Sequence, residues 1–348
     1  MRATHPLMKT LDSIQYLRAL AALGVVVFHA CQWRGLNFNV GRAGVDLFFI
    51  ISGVIMWRVT GGRQSTPRAF LWRRITRVAP FYWLVTLVVA AAVWFRPQFL
   101  PNVSPRLDHL LLSLAFIPHL GPFGLPFPLL PPGWTLDYEA LFYLVFAAAL
   151  FAPRRRQAAI VCGALLAIIA AGVILPDPVY ILIANPLLAE FAVGIGIALL
   201  AEHRALPGPI GGLALLTVGV LLLGVPAALG LFSELGRPFI WGPPGAFIVA
   251  GALALEQSGA MPRCPALARL GDASYALYLV HVPVVAIVAA VAAKLQLLHV
   301  GVFAALAVVA SVVVALAAHG LVEGPLINLC RGWPRPSQPQ TVASARRG

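Results

Sequence analysis

Arg18 and His29 stand eleven residues apart in IQYLRALAALGVVVFHA (14–30), a stretch otherwise dominated by apolar side chains. At 100° per residue, eleven residues come within about 20° of three full turns. On a helix both side chains therefore leave one face, about 16 Å apart along the axis. A guanidinium grips phosphate or carboxylate oxygens, and an imidazole serves as general base or nucleophile near neutral pH. The spacing suits one long ligand held at one end and reacted at the other. The plainer roles are a snorkelling Arg18 and an interhelical hydrogen bond for His29.

Further polar residues interrupt apolar runs in the same half of the chain. GVDLFFIISGVIMW (44–57) brings in Asp46, at a depth suited to orienting His29 or to capping a helix, and Ser52 beside Gly53, small residues suited to close helix packing. RVTGGRQSTPRAFLWRRITRVAPFYW (58–83) reads as a loop in which Arg68, Arg73, Arg74 and Arg77 interleave with aromatic residues. Such a cluster binds phosphate oxygens, or lipid head groups while it sets orientation. GWTLDYEALFYLVF (133–146) places Glu139 five residues into a helix, as an alternative base reaching the same outer pocket as His29 and Asp46. Trp134 and Tyr143 surround it, and Asp137 reads as a solvated first-turn residue. GDASYALYLVHVPVV (271–285) adds Tyr275, Tyr278 and His281, of which the last two share a helix face.

The elements that must position these residues follow from composition. Over 348 residues the chain is 60% hydrophobic and 11% charged, with a mean hydropathy of +0.88, whereas soluble domains carry about 25% charged residues. The fold class is all-α, a polytopic integral membrane protein. The apolar runs predict ten spans, at 14–33, 45–59, 79–95, 134–152, 157–175, 180–201, 209–228, 239–256, 273–293 and 300–322. They form a single transmembrane domain over 1–333, followed by a basic, disordered cytoplasmic tail over 334–348. With the N-terminus cytoplasmic, 19 of the 25 Lys and Arg fall on inner segments. The positive-inside rule thus places both termini in the cytoplasm. It also accounts for the net charge of +13 without nucleic acid as a partner. The four cysteines show no close pair, so neither a disulfide framework nor a metal site is expected. The proline-rich stretch 96–133 lies outside, and LDHLLLSLAFIPHL (107–120) within it suits a re-entrant or interfacial helix.

In order along the chain, these motifs resemble those of the membrane-bound acyltransferase 3 family. Arg18 and His29 match its arginine-ten-residues-histidine pattern. GVDLFFIISGVIM matches its second-helix signature, with Val54 where many members carry phenylalanine. RRITRVAP (73–80), WTLDYEALFY, SYALYLVHVP and VEGP (322–325) match the later ones. The first helix is similar to that of the exopolysaccharide O-acetyltransferase branch. The resemblance implies a multi-pass enzyme of the bacterial inner membrane, using cytoplasmic acetyl-CoA as donor and a glycan or lipid-linked saccharide as acceptor. It implies that Arg18, Arg73, Arg74 and Arg77, with Ser52, hold the donor while His29 does the chemistry. His29 acts there either as base on a sugar hydroxyl or as the acylated nucleophile. A secondary transporter or flippase, its buried charges lining a path, is the rival reading.

Overall fold

The Arg18–His29 stretch folds as helix α1, Asp12–Trp33, in a computed structural model that describes residues 11–61, 66–100, 103–174, 182–229, 236–296 and 299–332. Asp12 sits in its first turn, where a carboxylate meets the positive end of the helix dipole. The helix stops at Arg34, where the backbone N–H of Arg34 donates to the Cys31 carbonyl and that of Gly35 to the Gln32 carbonyl. Ala19, Ala22, Val26 and Ala30 are fully buried, and small residues of this kind let neighbouring helices approach.

The helices that follow are α2 (Ala43–Gly61), α3 (Pro67–Phe95), α4 (Leu107–Leu114), α5 (Trp134–Ala149), α6 (Arg154–Ile174) and α7 (Leu188–Glu202). After them come α8 (Pro209–Ala228), α9 (Arg237–Gln257), α10 (Pro265–Asp272), α11 (Ser274–Lys294), α12 (Val300–Ala318) and α13 (Gly324–Gly332). A single π-helical turn, His319–Glu323, joins α12 to α13. There is no strand among the described residues. Seven helical segments among these residues are long and apolar enough to cross a membrane. Large apolar side chains such as Leu213, Leu221, Val309 and Val313 face outward, as lipid contact requires. This is a multi-pass, all-helical membrane protein. The start of the expected sixth span and the tail 334–348 lie outside the described residues.

Helix α1 packs against α2, α10, α11 and α12, so the polar pair lies within the bundle. Helices α2 and α7 cross at Gly53 and Gly194. A Cβ on Gly194 would stand 2.0 Å from the Ile50 carbonyl oxygen, and one on Gly53 would stand 2.2 Å from that of Phe191. Gly53 is thus used for close packing, as the sequence suggests, while Ser52 donates to Glu139 instead.

The loop expected over 58–83 is largely helix. Helix α2 continues to Gly61, where Arg154 donates to the Trp57 carbonyl at 2.9 Å. Helix α3 begins at Pro67, behind Thr66, whose hydroxyl oxygen accepts from the Ala69 N–H at 3.3 Å. A capping threonine and a proline in the first turn start a helix. Pro80 lies inside it. Arg68, Arg73, Arg74 and Arg77 therefore occupy a helix surface rather than a loop.

Candidate functional site

Two cavities lie end to end along α1. The first, of about 330 Å³, is lined by Arg18, Ser52, Arg74, Arg77, Glu139 and Tyr143, with Tyr275 and Tyr278. Glu139 accepts from the Ser52 hydroxyl at 3.1 Å and from the Tyr143 hydroxyl. Arg74 lies at 6.0 Å from the Phe70 ring centre, and its Nε is buried without a hydrogen-bond partner. Arg18, Arg74 and Arg77 set three guanidinium groups around this cavity, a set that suits an anion. Arg73 is exposed and absent from this lining. Glu139, expected beside His29, belongs to this cavity instead. Five residues into α5 is about 7–8 Å along the axis, which carries it past the outer pocket.

The second cavity, of about 870 Å³, is lined by His29, His281, Trp134, Asp137, Tyr138 and Arg42, and is roofed by His109 and His119 of the 103–133 segment. His29 Nδ1 lies 2.9 Å from the Val25 carbonyl oxygen and 3.2 Å from His281 Nε2. His281 is fully buried, and its own Nδ1 lies 2.7 Å from the Tyr278 carbonyl oxygen. A nitrogen facing a carbonyl must carry the proton, so the two carbonyls assign both tautomers. His281 Nδ1–H donates to Tyr278, leaving Nε2 as acceptor. His29 Nδ1–H then donates to Val25 and His281 together, and His29 Nε2 keeps its lone pair.

Asp46 does not serve His29 in this structure. It is fully buried and paired with Arg237 at 2.8 Å, a guanidinium that also donates to the Arg42 carbonyl at 2.7 Å. Glu190 closes on the same pair, with both carboxyl oxygens buried. The partner is 191 residues away, and no local pattern announces it. Asp137 is likewise not solvated but only 5% exposed.

Val45 and Tyr278 line both cavities. The Tyr278 hydroxyl is hydrogen-bonded to Thr135 Oγ1 at 3.0 Å, so α11 and α5 are latched where the cavities meet. The Tyr275 hydroxyl donates to the Val78 carbonyl at 2.7 Å, which ties the same helix to the basic α3. Tyr278 and His281 thus share a face, the first at the junction and the second behind His29. Among the described residues all four cysteines are free.

Inside the helical bundle, a cavity lined by arginines and a cavity lined by histidines thus share Val45 and Tyr278. The chain belongs to the acyltransferase 3 family: the model of its acyltransferase domain matches residues 11–319. It is 37% identical over 311 residues to the exopolysaccharide production protein ExoZ of Rhizobium meliloti (strain 1021), covering 87% of this chain and 95% of that protein. It is 33% identical over 165 residues to the peptidoglycan O-acetyltransferase OatA of Listeria monocytogenes, covering 43% of this chain and 25% of that one. No solved structure matches. The protein is a multi-pass membrane acyltransferase.

Proposed function

We propose that the enzyme moves an acetyl group from acetyl-CoA, entering from the cytoplasm, to a hydroxyl of an extracytoplasmic or lipid-linked glycan, in the bacterial inner membrane. The observation that carries this reading is the meeting of the arginine-lined and histidine-lined cavities at Val45 and Tyr278. With both termini cytoplasmic, as the basic residues favour, the arginine end opens inward and the histidine end outward. The relatives named for exopolysaccharide production and for O-acetylation of a glycan supply the acceptor class, with exopolysaccharide foremost.

In this reading the CoA phosphates rest on Arg18, Arg74 and Arg77, with Arg73 at the mouth. The pantetheine arm rises past Ser52 and Tyr143 and brings the thioester to the junction. His29 Nε2 takes the proton of the acceptor hydroxyl as its oxygen attacks the thioester carbonyl. The new C–O bond forms, the C–S bond breaks, and the proton passes to the departing sulfur. A second route has Nε2 attack first, expelling the CoA thiolate as the acyl-imidazole forms. The sugar hydroxyl then attacks the acyl carbon, the imidazole leaves, and the hydroxyl proton ends on the thiolate. The same lone pair is required in both.

The test is acetyl transfer by purified protein in vesicles, with labelled acetyl-CoA on one side and saccharide on the other. Label in the saccharide supports the reading. Ion-coupled saccharide movement without CoA dependence would replace it with a transporter.

A further inference from the structure

We infer that Asp137 is a binding residue for the acceptor saccharide, its carboxyl accepting a hydrogen bond from a sugar hydroxyl in the outer cavity. This rests on the acyl-transfer reading above and names the protein side of the acceptor site. Asp137 is 5% exposed, lines the larger cavity, and has a buried Oδ1 without a hydrogen-bond partner. A buried carboxyl oxygen left open is costly unless a ligand or water supplies a donor. The other carboxylate nearby on the same helix is satisfied, since Glu139 accepts from Ser52 and Tyr143. Asp46, too, has its guanidinium. Asp137 is the one carboxylic residue lining the large cavity, and its Oδ1 has no partner among the described residues.

The surroundings fit a sugar. Trp134 and Tyr138 meet edge to face, with ring centres 5.9 Å apart at 87°, and both line the cavity. Aromatic walls of this kind cover the C–H faces of a pyranose, while a few polar groups fix its orientation. Gln32 and Asn185 add neutral amide groups to the same wall. A volume of about 870 Å³ lies within the ~300–1,000 Å³ of pockets that enclose small organic ligands. A sugar hydroxyl supplies the donor that Asp137 lacks, which the carboxylate of a uronic acid cannot. His29 lines the same cavity, so a ring anchored at Asp137 presents a further hydroxyl to Nε2.

The test uses full-length protein in vesicles with labelled acetyl-CoA and three soluble probes: cellobiose, maltose and glucuronic acid. Asp137→Ala removes the acceptor oxygen, and Asp137→Asn restores one. For whichever neutral disaccharide is acetylated, Asp137→Ala is expected to raise the saccharide KM about tenfold. The KM for acetyl-CoA and the acceptor-free hydrolysis of acetyl-CoA stay unchanged, and Asp137→Asn recovers most of the loss. A saccharide KM identical in wild type and both variants overturns the assignment. So does an equal fall in transfer and hydrolysis at constant KM, which marks a structural role. If Asp137→Ala does not fold, Asp137→Ser replaces it, and failure of both makes the carboxyl structural and ends the proposal. If wild type hydrolyses acetyl-CoA but labels no saccharide, the saccharide acceptor fails first and Asp137 with it. Transfer with an unaltered KM sinks Asp137 alone.

Discussion

His281 Nε2 stands 3.2 Å from His29 Nδ1, and this contact joins the Val25 carbonyl in holding the Nδ1–H of His29. With Nδ1 engaged by His281 and by the Val25 carbonyl, the free lone pair is Nε2. His29→Ala should lower kcat by about 10²–10⁴, the usual contribution of a positioned base. In the proposed reading His281, fully buried behind His29, acts through it, as outer partners orient metal-bound histidines. His281→Phe should lower kcat by about 10–100-fold with the acetyl-CoA KM unchanged, and His281→Gln, which keeps an acceptor, should recover part of it. Steady-state kinetics separate the two parameters. An unchanged kcat in His281→Phe would remove the positioning role.

The arginine cavity predicts a split between phosphate binding and catalysis. Arg18→Ala, Arg74→Ala and Arg77→Ala should each raise the acetyl-CoA KM about tenfold, the worth of a charge-assisted hydrogen bond, with smaller effects on kcat. Arg73, exposed outside the lining, should cost less. Comparing acetyl-CoA with its analogue lacking the ribose 3′-phosphate tells which arginine meets that group. The variant that ignores the missing phosphate is its partner. If every variant discriminates as wild type does, the phosphates bind elsewhere.

Asp46 and Arg237 predict a stability effect far larger than their surface charge would suggest. Asp46 is fully buried and Arg237 nearly so. Arg237→Met would leave a buried carboxylate uncompensated, at a cost of about 3–5 kcal/mol. Pairing Arg237→Met with Asp46→Leu should recover much of it, because two apolar residues need no partner. Thermal unfolding of the purified variants measures this. A double variant no better than the single would place the cost in Glu190, which packs on the same pair.

What the sequence made legible follows from periodicity. Arg18 and His29 share a face because helix geometry fixes it, and Gly53 announced a close crossing because only small residues permit one. The polar positions in α5 and α11 were also readable. What each one touches was not. Arg237 reaches Asp46 across 191 residues, and composition counts it as one more basic side chain. Glu139 and Asp137 are two residues apart, so about 200° apart on α5, and burial sends one to each cavity. No local pattern tells which cavity each one lines. The basic stretch 68–77 reads as loop because its charges precede the apolar run that begins at 79, yet Thr66 and Pro67 start the helix twelve residues before that run.

The roof of the outer cavity predicts a response to acid. His109 Nδ1 lies 2.7 Å from His119 Nε2, and His119 Nδ1 lies 2.7 Å from the Ile117 carbonyl oxygen. His119 therefore donates through Nδ1 and accepts through Nε2. Burial, and secondarily the neighbouring His119, pushes His109 down from 6.5 to about 4. The folded segment thus binds fewer protons than the unfolded one between those values. Its stability is complete above about 6.5 and falls as the pH drops toward 4. Hydrogen exchange over 107–120, corrected for the intrinsic pH dependence, should show faster opening at pH ~5 than at pH ~7. In His109→Gln, which cannot take up the proton, the difference should shrink. Equal protection at both pH values in wild type would mean that the histidine pair does not hold the roof in place.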